Sequence, residues 1–251
     1  MLHGTGTKIR NSGGQSTPHL DRLIDFIEPE AGDTCLDLSR DGGALAAALT
    51  PHVHALTTAE TPPKSAPDAP AAPRVPPPAA AGRTPTVLFT GPTAASGPAT
   101  PPHRDGTFTL VTARFALYRS GDPARTLPEM LRVRRPGGRL IIAEIVRPDM
   151  TARDRGRIEQ MRDPEHPGVL SLSALVDLAT AAGATVRRLD MFTIERPLDP
   201  WLAEGCDRRA ADGIRQALLD EIDGGPRTGA RPRVIGGELW FTQSWAQLAV
   251  H

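Results

Sequence analysis

The sequence has few cysteines, no net charge and no long apolar run, and each absence narrows what the protein can be. Its two cysteines, Cys35 and Cys206, lie far apart in the chain, so neither a disulfide framework nor a metal site is expected. Lysine and arginine together number 29, as do aspartate and glutamate, which leaves no overall attraction to nucleic acid or an anionic membrane. No apolar run reaches the roughly 18 residues of a membrane span, and the polar N-terminus does not resemble a signal peptide. We therefore expect a cytoplasmic protein that has neither nucleic-acid nor membrane partners.

Proline, in contrast, is abundant, with 26 residues in the chain, many of them between residues 61 and 85. An interior proline costs a helix about 3 kcal/mol, and a parallel strand–helix–strand unit normally places a helix in such a segment. We predict that residues 61–85 form a degenerate, extended crossover. Residues 1–16, rich in glycine, serine and threonine, are predicted to be a flexible N-terminal segment.

Apolar strands alternate with helical patterns along the rest of the chain, which predicts one α/β domain over residues 17–251. The organising stretch is 34–49, a buried strand, a glycine turn and a helix of small apolar residues. In α/β domains this first unit is where a nucleotide-like cofactor normally binds. Helices are predicted at 17–27, 44–49, 122–133, 171–182 and 201–222. After the opening strand, further strands are predicted at 53–59, 86–90, 108–113, 139–146, 185–194 and 238–250, with a turn at 135–138.

The second half of this pattern resembles a known family. The stretches 108–117, 122–125 and 129–144, which include Arg135-Pro136-Gly137-Gly138 before an apolar strand, resemble class I S-adenosylmethionine (SAM) methyltransferases, best in their ubiquinone/menaquinone small-molecule branch. The resemblance implies a Rossmann-like, seven-stranded, mostly parallel sheet with helices on both faces, an antiparallel C-terminal strand and a small helical lid. Segments 149–170 and 197–235 are then predicted to be lid or substrate-side insertions.

The resemblance is weakest where the cofactor would bind. That family has an acid-x-Gly-x-Gly-x-Gly loop; here Asp37 keeps the acid and Gly43 the last glycine, whereas Ser39 and Asp41 replace the others. Asp41 adds bulk and negative charge, and we expect it to repel the SAM carboxylate. Glu60 stands where the family binds the ribose hydroxyls. The predicted cofactor-binding residues are therefore Asp37, Ser39, Gly43 and Glu60, the alternatives being solvated strand-end carboxylates and a simple turn.

Other departures concern adenine and the chemistry. Gly91-Pro92-Thr93 replaces the family's Gly-Asp-Ala, so the acid that contacts adenine is missing. We predict that Tyr118, Arg119, Glu144 and His166 are catalytic. The first three follow or end strands on the ligand side of an open sheet, where they could transfer protons or stabilise an anion, and His166 titrates near neutral pH. The alternative for Tyr118 and Arg119 is a pair of surface side chains, and Glu159 and Arg162 could simply pair with each other.

Three functions remain open. The first is a methyltransferase fold repurposed for SAM-independent cyclisation or rearrangement of a small secondary metabolite, because the SAM motifs are degraded. The second is an active SAM-dependent O- or C-methyltransferase. The third is a non-catalytic partner protein. The expected cofactor is accordingly none or SAM, the expected partner is a small-molecule substrate, and a homodimer is compatible with the sequence.

Overall fold

The computed structural model describes residues 18–59, 86–90, 103–117, 120, 122–147, 155–162, 168–203 and 206–251. The predicted flexible segment 1–16 and the proline-rich crossover 61–85 lie outside these residues. Within the described ranges, no helix combines the length and apolar character needed to cross a membrane.

The described residues contain seven α-helices and eight strands. The helices are α1 Pro18–Ile27, α2 Ala44–Leu49, α3 Pro123–Val133, α4 Arg155–Arg162, α5 Leu172–Ala181, α6 Leu198–Ala203 and α7 Arg208–Ile222. The strands are β1 Thr34–Asp37, β2 Ala55–Ala59, β3 Thr86–Thr90, β4 Phe108–Arg114, β5 Arg134–Ile145, β6 Val186–Pro197, β7 Arg233–Ile235 and β8 Glu238–Val250.

The strands form one sheet in the order β3-β2-β1-β4-β5-β8-β6. Strands β3, β2, β1, β4 and β5 are parallel, whereas β8 runs antiparallel between β5 and β6. This confirms the predicted fold class. The short strand β7 pairs only with β8, through a turn in which Gly236 and Gly237 have φ of +60° and +84°.

The Arg-Pro-Gly-Gly stretch corrects one prediction. Residues 135–138 were predicted as a turn that precedes a strand, but β5 already begins at Arg134 and pairs there with Phe108. Arg134 pairs with Phe108 and Arg139 with Leu110, so residues 135–138 have no partner on β4 and form an irregular stretch within β5. A side chain on Gly138 would bring its Cβ to 2.8 Å from the Thr109 carbonyl oxygen, which explains glycine at that position.

Helices cover both faces of the sheet. On one face α1 and α2 bury Leu23, Leu45 and Leu49 against the sheet, and on the other face α3 and α5 bury Leu127 and Leu175. A third group, here called the lid cluster, consists of Ile158, Leu198, Trp201, Leu202, Ile214, Leu218, Ala230 and Phe241. It draws on both segments that were predicted as lid insertions, and their action as a lid stays a prediction.

Candidate functional site

Asp37 ends β1 on the face of the sheet that α1 covers, and it is 3% exposed. Its Oδ1 accepts hydrogen bonds from the Ser39 hydroxyl at 2.5 Å and the Thr112 hydroxyl at 2.8 Å. Burial raises the pKa of the Asp37 carboxyl to about 6, although these hydrogen bonds oppose the rise. The expectation of a solvated strand-end carboxylate is therefore wrong for Asp37, since the protein interior encloses it.

Ser39 replaces a loop glycine and joins β1 to β4. Its hydroxyl donates to Asp37 and accepts from the Arg114 backbone N–H at 3.0 Å. The backbone contact continues one residue further, because the Arg40 N–H donates to the Arg114 carbonyl at 2.9 Å. The serine side chain therefore occupies space between the two strands that a glycine would leave open.

Asp41 makes contacts that correct the expected role of its charge. Its carboxylate accepts hydrogen bonds from the backbone N–H groups of Gly43, Ala44 and Leu45 at 3.1, 3.0 and 3.1 Å. It also pairs with the Arg114 guanidinium at 2.7 Å, and its side chain is only 3% exposed. The charge of Asp41 is thus neutralised within the chain. We expect Asp41 to oppose a ligand carboxylate because it already occupies these N–H groups and the guanidinium, and not because it repels the ligand.

Gly43 precedes α2 as its N-cap and adopts the left-handed conformation, at φ +85°. A Cβ built on Gly42 or Gly43 would have no atom within 4 Å. Backbone conformation, and not close packing inside the chain, therefore accounts for glycine at these two positions. The open space beside them leaves room for a ligand, and the predicted contact of Gly43 with a cofactor stays a prediction.

Arg114, the last residue of β4, connects the Asp41 loop to a group of aromatic rings. Its guanidinium lies 4.6 Å from the Phe115 ring centroid and 5.4 Å from that of Trp245. Phe115 adopts a left-handed conformation with φ of +58°, which costs a bulky residue about 1–3 kcal/mol. Its ring meets Trp245 edge-on, with the centroids 5.0 Å apart.

Trp245 lies at the centre of this aromatic group and is 3% exposed. Besides Phe115, the rings of His19 and Phe192 lie with centroids 5.1 and 6.3 Å from it. The indole Nε1 is buried and has no hydrogen-bond acceptor among the residues that the structure describes. We call His19, Arg114, Phe115, Phe192 and Trp245 the aromatic cluster.

His19 lies in the first turn of α1 and is half-buried. Burial, together with the nearby positive charges of Arg114 and Arg196, lowers the pKa of its imidazole to about 4. The ring is therefore neutral at physiological pH, with a nitrogen lone pair available to accept a proton. The same low pKa makes His19 a weak base, since general bases work best with a pKa near the operating pH.

The face that carries Trp245 continues along β8 to Gln243, next to the lid cluster. The Gln243 side chain donates to Glu159 at 2.9 Å and accepts from Arg196 at 3.3 Å. A cavity of about 20 Å³ lies beside Glu159, Gln243 and Ser244, between the end of β5 and α4. Arg162 lies over the Trp201 ring, 4.5 Å from its centroid. Polar groups therefore extend from the aromatic cluster to the helices of the lid cluster.

Glu144, predicted as catalytic, lies on the opposite face of the sheet. It alternates along β5 with Ala143 and Ile145, and its neighbours on the same face, Ile142 and Val146, pack against α3 and α5. Glu144 is 2% exposed, and its Oε1 accepts from the Leu117 backbone N–H at 2.8 Å. It thus supports the chain just after β4, apart from the aromatic cluster, and its predicted catalytic role stays a prediction.

The structure brings together some of the predicted site residues and leaves others undescribed. Asp37, Ser39 and Gly43 lie near one another at the carboxyl end of β1. Glu60, Tyr118, Arg119 and His166 lie outside the described residues, as do Pro92 and its neighbours, so their roles stay predictions.

Sequence reasoning missed Arg114, His19 and Trp245. Arg114 was predictable in part. It lies two residues after Thr112 on β4, so both side chains point to the same face of the sheet, and Thr112 is the partner of Asp37 on β1. His19 had the weakest signal, since it comes next to a helix start more than 200 residues before Trp245 in the sequence. Only the packing of α1 on β8 brings the two rings together.

Comparison with known proteins adds independent findings. A family model described as a methyltransferase domain matches residues 15–189. Over 47 residues the chain is 45% identical to demethylmenaquinone methyltransferase of Renibacterium salmoninarum, a match that spans 19% of this chain and 20% of that protein.

The YcgJ protein of Bacillus subtilis has a crystal structure similar at a TM-score of 0.72, with 18% identity over 92% of this chain and 96% of that one. The [4+2]-cyclase SpnF is similar at a TM-score of 0.54, with 15% identity over 92% of this chain and 78% of that one. Structural likeness at such identities shows the fold alone.

Proposed function

Because the chain belongs to the methyltransferase-domain family and has the fold of class I SAM methyltransferases, we propose that it is an enzyme that cyclises or rearranges a small molecule without using SAM. The observation that supports this is the Asp41 carboxylate, which accepts from three backbone N–H groups of its own loop and pairs with Arg114. The loop already holds one carboxylate, supplied by the chain.

The loop as it stands does not fit the methionine end of SAM. In such loops a ligand carboxylate uses backbone N–H donors and a nearby cation, and here Asp41 uses both. Displacing it would leave Arg114 or Asp41 buried without its partner, and breaking a buried ion pair costs about 3–5 kcal/mol. The Ser39 hydroxyl adds bulk between β1 and β4.

An enzyme of this kind would act through its pocket. Cyclisation and rearrangement are accelerated when one substrate conformer is held, water is excluded and a few polar groups are placed beside the reacting atoms. The aromatic cluster would supply apolar surface for such a substrate. The name of SpnF, a [4+2]-cyclase, is consistent with cyclisation on this fold.

SAM-dependent O- or C-methyl transfer is the second candidate. It is favoured by the 47-residue match to a demethylmenaquinone methyltransferase and by the open space beside Gly42 and Gly43. If Asp41 were to swing out on binding, Arg114 and the freed N–H groups would face the SAM carboxylate.

Calorimetric titration of SAM and S-adenosylhomocysteine separates the two candidates. We expect the wild type not to bind either ligand in the micromolar range. For Asp41→Gly, alone or with Pro92→Asp, we expect an affinity for SAM at least about tenfold higher than that of the wild type, or about 1.4 kcal/mol. Asp122→Gly is the matched control, because Asp122 likewise caps a helix, accepting from the Arg125 N–H at 3.1 Å, but lies at the start of α3. Micromolar binding of SAM by the wild type would contradict the proposal and favour methyl transfer.

A further inference from the structure

We propose that two copies of this chain pair through the outer edge of β6, so that their two sheets become one. This inference goes beyond the proposed function and does not depend on it. Strand β6 is the last strand of the sheet next to β8, and among the described residues it pairs with β8 alone. An edge strand exposes a row of backbone N–H and C=O groups that can pair with a strand of another chain.

The outer edge of β6 is long and regular. The strand has 12 residues, Val186–Pro197, and its pairing with β8 is continuous from Arg188 to Pro197. The register shifts only at the start of the strand, and the one proline is its last residue. Lysine, which often protects such edges, is absent from the strand. Edges of this kind favour the addition of a further strand.

One face of β6 carries apolar side chains at the edge of the sheet. Exposure alternates along the strand, with Leu189, Met191, Thr193 and Glu195 exposed and the residues between them partly buried. Leu189 is 40% exposed and Met191 is 46% exposed, whereas their partners on β8 are buried. The apolar surface therefore continues from the core to the exposed edge, where a second copy would bury it.

Symmetry limits how two copies of β6 can pair. In a two-fold antiparallel pair one residue lies opposite itself, and residues that lie directly opposite share a face of the sheet. If Asp190 lay on the two-fold axis, two carboxylates would face each other. If Phe192 lay on the axis, Arg188 would lie opposite Arg196 of the second copy. Like charges directly opposite are destabilising, so both registers are unfavourable.

The register centred on Met191 combines apolar contact with complementary charge. It places Met191 opposite itself and Leu189 opposite Thr193 of the second copy, so the apolar side chains meet at the centre. The exposed side chains of Arg187 and Glu195 then lie near each other at both ends of the paired segment. A register centred on Thr193 would instead place the Glu195 carboxylate opposite Met191. Charge complementarity therefore favours a second copy, paired about Met191.

The same register brings charge pairs together on the other face. Arg22 donates to the Asp190 carboxylate at 2.7 Å and lies 4.2 Å from the centroid of the Phe192 ring. In the register centred on Met191, Asp190 lies opposite Phe192 of the second copy. Each Arg22 then has two carboxylates nearby, its own and that of the second copy. Because Phe192 belongs to the aromatic cluster, pairing also places both aromatic clusters on one face of a continuous sheet.

The molecular mass of the full chain in solution tests the pairing. Sedimentation equilibrium should give twice the mass of one chain for the wild type. Met191→Lys places two ammonium groups opposite each other on the axis, and we expect it to raise the dissociation constant of the dimer at least about a hundredfold. Val234→Lys is the matched control. Val234 is 56% exposed on β7, which pairs with the other side of β8, so this variant should dimerise like the wild type.

A pair of substitutions tests the register. Leu189 and Thr193 lie opposite each other across the proposed interface, whereas within one strand they are about 13 Å apart. Leu189→Lys and Thr193→Glu each place a charge opposite an uncharged side chain, and each should weaken the dimer about tenfold. Together they create two oppositely charged pairs across the interface, so the double variant should recover most of the lost affinity.

The inference is overturned if the wild type sediments as a monomer, or if Met191→Lys dimerises as tightly as the wild type. A double variant that dimerises no more tightly than the weaker single variant would also overturn it. Circular dichroism verifies that each variant is folded, which is expected because every substituted side chain is exposed. None of these measurements involves SAM, so their failure is distinct from a failure of the proposed function in the calorimetric experiment.

Discussion

At the scale of single residues, Asp37 is a carboxylic acid whose surroundings differ strongly from water. It is enclosed between β1 and β4, and its Oδ1 receives the hydroxyls of Ser39 and Thr112. Burial disfavours the charged form more than the two hydroxyls favour it, which raises the pKa of Asp37 to about 6. The folded protein therefore holds this proton more tightly than the unfolded chain does.

This difference predicts a pH dependence of stability. Relative to the unfolded value of 3.8, a folded pKa of about 6 for Asp37 gives stability that is fully present below pH 3.8 and is lost as the pH rises through about 6. The loss amounts to about 3 kcal/mol. Asp37→Asn keeps a hydrogen-bond acceptor without a titrating proton, so the free energy of unfolding of the wild type should fall by that amount relative to this variant between pH 4 and 7.

Urea unfolding at a series of pH values measures the difference. Asp177→Asn, an exposed aspartate on α5, is the matched control and should follow the wild-type curve. Parallel curves for wild type and Asp37→Asn would contradict the raised pKa.

At the scale of elements, α7, a helix of the lid cluster, illustrates how a helix depends on one side chain at its start. Asp207 precedes Arg208, and its carboxylate accepts from the Ala210 backbone N–H at 2.8 Å. The fifteen-residue helix buries Ile214 and Leu218 in the lid cluster. The cap and the buried stripe together specify where α7 begins and which side faces inward.

Removing this cap should loosen α7. We expect Asp207→Ala to cost about 1 kcal/mol and to speed hydrogen exchange at the α7 amides. Asp223→Ala removes an acid at the other end of the helix, where the helix dipole disfavours negative charge, and should be neutral or slightly stabilising. If the two variants lost equal stability, the hydrogen bond of the Asp207 cap would not be what stabilises α7.

At the scale of the whole molecule, the apolar interior is divided. Two large clusters sandwich the sheet, and the lid cluster is a separate group that meets the sheet mainly through Phe241 of β8. Regions with their own small core can open independently of the rest of a domain. We therefore expect the lid cluster to open independently of the two clusters that sandwich the sheet.

Two matched leucine substitutions test this independence. Leu140 and Leu218 are both fully buried, and truncating either one to alanine should cost about 2–5 kcal/mol. Leu140→Ala should lower protection from hydrogen exchange throughout the sheet. Leu218→Ala should raise exchange in α6 and α7 while β1 and β4 stay close to wild type. If both variants raise exchange everywhere, the lid cluster is part of one cooperative unit.

Much of the fold was predictable because its signals are local. The prolines and capping residues around 122–133 and 171–182, and the apolar runs of β1, β4 and β8, act over a few residues. The helix predicted at 201–222 is instead two helices, α6 and α7. The boundaries that were wrong depend on pairing. Strand β5 begins at Arg134 because that residue pairs with Phe108, and β6 continues to Pro197 because β8 offers a partner up to Trp240.

By itself the sequence determined the order of helices and strands, the family of the fold and the loss of two glycines from the loop at 37–43. Only the tertiary structure decided what the replacing side chains do. Asp41 looked like a source of repulsion until its partner Arg114, 73 residues away in the chain, was seen to neutralise it. His19 and Trp245 likewise meet only because α1 packs on β8. Ion pairs and ring contacts require distances of a few ångströms. For residues so far apart in the sequence, those distances are determined only by the tertiary structure.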